Sequence, residues 1–460
     1  MVQKTCTTIL VGKQASLNGS TIIARNEDGD DASNPQRFVV VDPSENSNIY
    51  HSVHSEIEIP LPATGVRYTS TPDADATYGI WGAGGINQHN VAMTATETIT
   101  SNPRILSVDP LVEKGIGEED ITTLVLPYID SARTGVLRLG SLLEQYGTYE
   151  SNGIAFADQD EVWYLETLGG HHWAAVRIPD DAYVIAPNRL NIDYFDFNSE
   201  DYLYAADLPD LITQNHLNPD ADTLNFRHIF GSSTVKDQHY NNPRAWYVHQ
   251  YLDHNFKGQP TDQDLPFIHR SDRKISIEDL KFLLSSHFDE TPFDPYGTVA
   301  PTEKFRPIGI NRNLETHILE LRNGVPDAIA GIHWLAFGPN TFNALAPFYS
   351  QVTNTPACYR DTPLTTDSNY IYWISRILAL IGDSNYALYQ NLQSTYEQEV
   401  MQLVRAVKNQ TDHQGDFSTS ALEKANQQMA DIVLQHSQKL LNDVINLGSQ
   451  HMKLRFSVSD

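Results

Sequence analysis

Between residues 153 and 186 the chain passes through four short apolar-rich runs, each long enough for one strand and too short for an ordinary helix. The runs cover 153–157, 162–167, 173–178 and 183–186. Their separators, Asp158-Gln159-Asp160, Gly169-Gly170 and Pro179-Asp180-Asp181, are turn chemistry. This pattern predicts an antiparallel meander of four strands, and a sheet of that kind needs a second layer to bury its apolar face.

The first third of the chain supplies further strands. Residues 7–11 are β-branched, Leu17-Asn18-Gly19-Ser20 signals a turn, and 21–25 form a second run, so the pair reads as a hairpin. Residues 38–41 are almost wholly apolar, as a strand covered on both faces would be. Residues 91–98 (VAMTATET) alternate. Helical patterning is expected over 118–145 with a break at Thr134-Gly135, near 246–252, over 277–287, and from 370. Residues 316–321 and 328–337 read as two more strands. Beyond residue 384, Leu388, Leu392, Tyr396, Val400, Leu403 and Val407 recur at helical spacing, and Leu422 to Leu447 do much the same after Gln414-Gly415-Asp416. These strands and helices are compatible with an α+β chain.

Composition narrows the function classes. Thirty-one Lys and Arg against 58 Asp and Glu leave a net charge of −27. Such a chain repels phosphate backbones and anionic lipid, so neither nucleic acid nor a membrane is an expected partner. An apolar content of 40% is too rich for an acidic disordered segment. The two cysteines, Cys6 and Cys358, exclude a disulfide framework and a multi-cysteine zinc site. The opening residues lack the apolar stretch of a secretion signal, and no window reaches the ~18 apolar residues of a membrane helix. A reduced, cytoplasmic protein is the expectation.

Cys6 opens the first strand, and alternation puts Cys6, Thr8 and Leu10 on one face. Such a cysteine is most simply a small buried hydrophobe. If the five residues before it were removed, however, its own α-amino group, with an ordinary pKa of ~7.7–8.0, would lie beside its thiol. One residue would then supply nucleophile and base. Arg25 and Asp28 close the return strand of the hairpin, 19 and 22 residues on, where they could hold a thiolate and an ammonium. Asn87, in Gly84-Gly85-Ile86-Asn87, and Asn188, after the 183–186 run, are candidate donors to an oxyanion.

These residues carry a resemblance. Cys6, the run Ala24-Arg25-Asn26-Glu27-Asp28, and Gly85-Ile86-Asn87 leading into Val91-Ala92-Met93 resemble the N-terminal-nucleophile hydrolases. With the segments 300–307, Glu315-Thr316-His317-Ile318 and Ile332-His333-Trp334, the chain is similar above all to the bacterial dipeptidase A family of cysteine peptidases, and more distantly to penicillin V acylases and bile salt hydrolases. The resemblance implies a four-layer αββα sandwich with insertions over 6–383, a propeptide at 1–5 and a C-terminal helical hairpin within 384–460, packed on the same domain. It implies a dipeptide substrate, Cys6 as nucleophile, Arg25 and Asp28 beside it, and Asn87 and Asn188 holding oxyanion and substrate. Arg244, in Asn242-Pro243-Arg244, is the candidate for a further site arginine. The alternatives are an amidase acting on acyl-amino acids and a non-catalytic protein that binds a partner. A homo-oligomer is compatible with the sequence.

No other motif competes. His171 and His172 are adjacent, so on a strand they point apart and cannot easily share an ion. No zinc-helix, P-loop, dinucleotide or serine-elbow signature is present, and nothing calls for a cofactor or metal.

Overall fold

The computed structural model describes residues 5–30, 33–43, 48–301 and 303–452. Two antiparallel sheets stack face to face. The first has seven strands in the order Ile268–His269, Tyr183–Ala186, Thr7–Val11 (β1), Thr21–Asp28 (β2), Asn313–Leu321, Gly331–Phe337 and Ala346–Tyr349. The second has six, in the order Tyr202–Tyr204, Trp173–Ile178, Val162–Thr167, Asn152–Ala157, Ala92–Thr98 and Gly84–Ile86.

Strand alternation builds the layers. Leu10, Ile23, Val184 and Leu319 of the first sheet meet Ala92, Ala155, Tyr164 and Val176 of the second in a common core. The other face of the first sheet, with Ile9, Val11, Ile22, Ala24 and Trp334, is covered by the helices Asn242–Leu252, Ile277–Ser285, Ile371–Asp383, Tyr386–Gln414 and Thr419–Gln450. The other face of the second, with Met93, Phe156, Trp163 and Leu165, lies under the helices Glu118–Val125 and Ala132–Tyr146. The result is the α+β, four-layer αββα sandwich. The last two helices are joined through Gly415, which turns the chain at φ 75°. Asn426 pins the second of them to the edge strand, its side chain accepting from Tyr349 N at 2.9 Å and donating to Tyr349 O at 3.0 Å.

Three expectations need correction. The 183–186 strand is not the fourth of the meander. It crosses to the first sheet and pairs with β1, Thr8 opposite Ala186. The connecting turn is stitched to β1's own exit, with Gln14 N and Ala15 N both donating to Asp180 O. Only glycine fits there, since a Cβ on Gly12 would stand 2.4 Å from Pro179 O. Turn residues mark where a strand ends, not which sheet the next one joins. Second, Val39–Val41 pairs only with Tyr68–Ser70, and Val39 and Val40 are half-buried rather than covered on both faces.

Third, the helical break falls after Tyr128, not at Thr134-Gly135. A 3-10 turn at Leu126–Tyr128 ends the first segment, and Ser131 caps a new helix through Thr134 N. Gly135 lies inside that helix because the Phe156 ring packs against it, where a Cβ would come within 2.6 Å. Gly135→Ala should therefore lower the melting temperature. The ~1 kcal/mol that alanine gains in an open helix is outweighed by about 1–3 kcal/mol of overpacking. Thermal unfolding monitored by circular dichroism checks the sign, which is positive if the helix is not pressed on Phe156.

Candidate active site

Cys6 sits where β1 enters the first sheet, with none of its surface exposed. The β1–β2 register sets Thr8 opposite Arg25, so Cys6 and Thr8 share a face with Arg25 and Glu27, between the two sheets. The Arg25 guanidinium donates to Cys6 Sγ at 3.1 Å and to Glu27 Oε2 at 2.5 Å. Its other donors reach the second sheet: Thr94 Oγ1 at 2.7 Å, Thr96 O at 2.7 Å, Ala83 O at 2.7 Å and Ala95 O at 2.9 Å. Burial disfavours the cation, but Glu27 and then the Cys6 sulfur outweigh it, and Arg25 stays charged. Cys6 is held well above an ordinary thiol pKa, first by burial and then by Glu27, with Arg25 pulling the other way.

A second pair flanks the cysteine backbone. Asp28 is bound by Arg306 and by Asn313 Nδ2, and accepts from Thr5 Oγ1 at 3.5 Å. Burial raises its pKa against the pull of Arg306. Arg244, in the first turn of the helix Asn242–Leu252, donates to Cys6 O at 2.5 Å, Thr7 Oγ1 at 2.7 Å, Tyr240 O at 2.9 Å, Asn188 Oδ1 at 2.8 Å and Asn241 Oδ1 at 2.7 Å. Burial, and then the neighbouring Arg306, lower its pKa to about 9. Tyr240 lies under both guanidinium groups, at 5.2 and 5.4 Å. Burial would raise its phenol, yet Arg306 and Arg244 bring it below its ordinary value.

A small cleft of about 230 Å³ opens beside this cluster, lined by Thr5, Thr98, Asn188, Thr234, Tyr240 and Asn241 among others. Asn188 spends one amide N–H on Thr98 O at 3.0 Å, leaving the second directed by neither Arg244 nor that strand. Among the described residues two larger clefts, of about 470 and 450 Å³, lie under the long helices and near Trp373, and neither is lined by any of these residues.

Five of the six sequence candidates thus come together: Cys6, Arg25, Asp28, Asn188 and Arg244. Asn87 does not. Its amide nitrogen donates to Leu126 O and Ile129 O, both at 2.8 Å, and its oxygen accepts from His89 N at 2.9 Å and Val91 N at 3.1 Å. With four bonds made, it ties a turn to the 3-10 segment and has nothing left for an oxyanion.

The structure adds residues that the sequence pattern concealed. Glu97 accepts from Thr8 Oγ1 at 2.8 Å, and burial raises its carboxyl to about 8 against Arg244. Strict alternation would turn Glu97 outward with Met93 and Ala95. A register shift between Ala95 and Glu97 reverses the sides, so Thr96 reaches Glu118 Oε2 at 2.8 Å on the helical face and Glu97 faces inward. Behind Arg25, Thr94 Oγ1 meets His317 Nε2 at 2.7 Å, and His317 Nδ1 meets Glu315 Oε1 at 2.7 Å. Burial and Arg25 keep His317 neutral, and burial raises Glu315 to about 8. Glu315 and His317 stood in a segment of the family resemblance without a role, and they support Arg25 from below.

Two remaining sequence features are local. His171 and His172 both turn Nδ1 toward Asp109, at 3.2 and 2.8 Å. Cys358 is half-buried against the core beneath the C-terminal helices, and burial raises its thiol to about 12. Among the described residues no group of three His, Cys, Asp or Glu is placed to hold a metal ion, and no helix is long and apolar enough to cross a membrane.

Comparison with known proteins fits this geometry. The model of peptidase family C69 matches residues 5–399, starting one residue before Cys6. The chain belongs to peptidase family C69. It is 55% identical to the "Probable dipeptidase B" of Lactococcus lactis subsp. lactis (strain IL1403), covering 99% of this chain and 98% of that one. It is 54% identical to "Dipeptidase A" of Lactobacillus helveticus over the full length of both. A "Probable dipeptidase A" of Streptococcus pyogenes serotype M18 is 47% identical, over 99% and 98% of the two chains. This C69 peptidase therefore matches its relatives through the C-terminal helices as well as through the sandwich.

The buried acids fix a pH dependence. Glu97 and Glu315 both titrate near 8 in the folded chain, well above an unfolded glutamate at ~4.3. The folded state binds the extra protons, so the stability they contribute is complete below about 4.3 and is lost as pH rises through about 8. The urea midpoint should fall between pH 5 and pH 8.5, and Glu315→Gln should flatten that fall. A midpoint that rises over this range contradicts it.

Proposed function

We propose that this chain is a cysteine-type dipeptidase whose nucleophile is Cys6, exposed when residues 1–5 are removed. The observation that carries the reading is the contact of Cys6 Sγ with the buried Arg25 guanidinium, at the entrance of β1 and beside a cleft of dipeptide size. The full-length likeness to proteins named as dipeptidases supports the substrate class.

The chemistry follows from the neighbours. Removal of Thr5 frees the Cys6 α-amino group, an acceptor for the thiol proton near neutral pH. Asp28, already bonded to Thr5 Oγ1, stands on the side where that amine emerges. Arg25 steadies the thiolate that forms, offsetting the burial and the Glu27 charge that now hold the thiol neutral. Sγ attacks the scissile carbonyl, and the second amide N–H of Asn188 is available to the oxyanion. The α-amino group returns the proton to the leaving amine. Water then cleaves the thioester, releasing the amino-terminal residue as its free acid and returning Cys6 to the thiol. Arg244 holds Cys6 O and Asn188 Oδ1 at once, so it fixes nucleophile and oxyanion donor in one frame.

The test combines two measurements on the protein expressed from Met1. N-terminal sequencing is expected to begin at Cys6, and Cys6→Ala is expected to lose dipeptide hydrolysis by about a thousandfold or more. A chain that keeps residues 1–5 at full activity, or an active Cys6→Ala, contradicts the proposal. Turnover of acylated amides with none of dipeptides would favour the amidase alternative instead.

A further inference from the structure

The carboxylates around Cys6 are not equally served. Glu27 has Arg25 at 2.5 Å. Asp28 has Arg306, Asn313 and Thr5. Glu315 has His317. Glu97 is 1% exposed, has only the Thr8 hydroxyl on Oε2, and its Oε1 meets no donor. Arg244 is the main cation acting on it, but all five Arg244 N–H groups are spent on neutral oxygens. A buried carboxyl oxygen without a donor is costly, and Glu97 Oε1, unlike Glu315 Oε2 behind Arg25, belongs to the face that carries Cys6, where a cation would both pair it and draw its raised pKa down.

The position suits one cation in particular. Thr8 holds Glu97 from the same strand face as Cys6, two residues along β1, or about 6.6 Å. In an amino-acyl group the ammonium nitrogen lies only about 2.5 Å from the carbonyl carbon that the sulfur attacks. A carboxylate one side chain away from Sγ is therefore in reach of that nitrogen. The next residue, Thr98, lines the small cleft with Thr5, whose removal opens the cleft toward Cys6.

Resting on the dipeptidase reading, we propose that Glu97 receives the free α-ammonium of the substrate, so that this site selects peptides with an unblocked amino terminus. An acylated amino group brings no charge to Glu97 and offers a single neutral N–H in place of three charged ones. The selectivity is then built into the ground where the bulge turns Glu97 inward, independent of the side chain of either substrate residue.

The test compares L-Ala-L-Ala with N-acetyl-L-Ala-L-Ala on wild type, Glu97→Gln and Glu97→Asp. Wild type is expected to prefer the free amine by about 100-fold or more in kcat/KM. Glu97→Gln should shrink that ratio by about 30-fold or more, chiefly through KM, and Glu97→Asp should restore part of it. An unchanged ratio, or an equal loss on both substrates, overturns the assignment while leaving the dipeptidase reading intact. Wild type that cleaves only the acetylated peptide overturns both. Should Glu97→Gln not fold, inhibition of wild type decides: L-alaninol is expected to compete with L-Ala-L-Ala and N-acetyl-L-alaninol is not, and equal inhibition by the two overturns the proposal.

Discussion

One buried guanidinium holds the centre of this molecule. Arg25 leaves β2 of the first sheet and ends on three carbonyls and a hydroxyl of the second, while its remaining donor is shared by Cys6 and Glu27. A charge in that position is tolerated only because every N–H is bonded and a carboxylate stands beside it. The same bonds dock the two sheets in one relative position, so the contact that fixes the sandwich also fixes the sulfur. Thr94, His317 and Glu315 extend it downward as a chain of short hydrogen bonds. Arg244 performs a related task from the helical layer, joining Cys6 O to Asn188.

Much of this was legible along the chain because it follows from period-two alternation. Alternation put Cys6, Thr8 and Leu10 on one face and the hairpin brought Arg25 back toward the start of the first strand, and the register, with Thr8 opposite Arg25, sets Arg25 on that same face. Failures occurred where a local event broke the period. The bulge after Ala95 turns Glu97 from the helical side to the site, and no pattern in VAMTATET announces it. Asn87 looked like an oxyanion donor because it follows glycines, yet the same glycine-rich context makes it a turn residue with four bonds of its own. The crossing of the 183–186 strand to β1 was hidden for a different reason: pairing between distant segments leaves no mark in either one.

The charge balance of the site links fold to chemistry. Several acids crowd the local arginines, and burial raises two of them, Glu97 and Glu315, to about 8. Burial first, and then the Glu27 charge, hold the Cys6 thiol above its ordinary pKa. In the proposed enzyme two cations complete the site: an α-ammonium at Cys6 itself and one delivered by substrate. The net charge of −27, which at first only excluded partners, has its local counterpart here.

The central claim is that Cys6, and not Cys358, carries the reaction. Alkylation with iodoacetamide, followed in parallel by residual dipeptidase activity and by peptide mapping of both cysteines, tests it most directly. The account predicts that inactivation tracks modification of Cys6 one for one and that a dipeptide slows both together, while Cys358 lags behind because burial holds its thiol near 12. Activity that survives complete alkylation of Cys6, or that falls in step with Cys358, would contradict it.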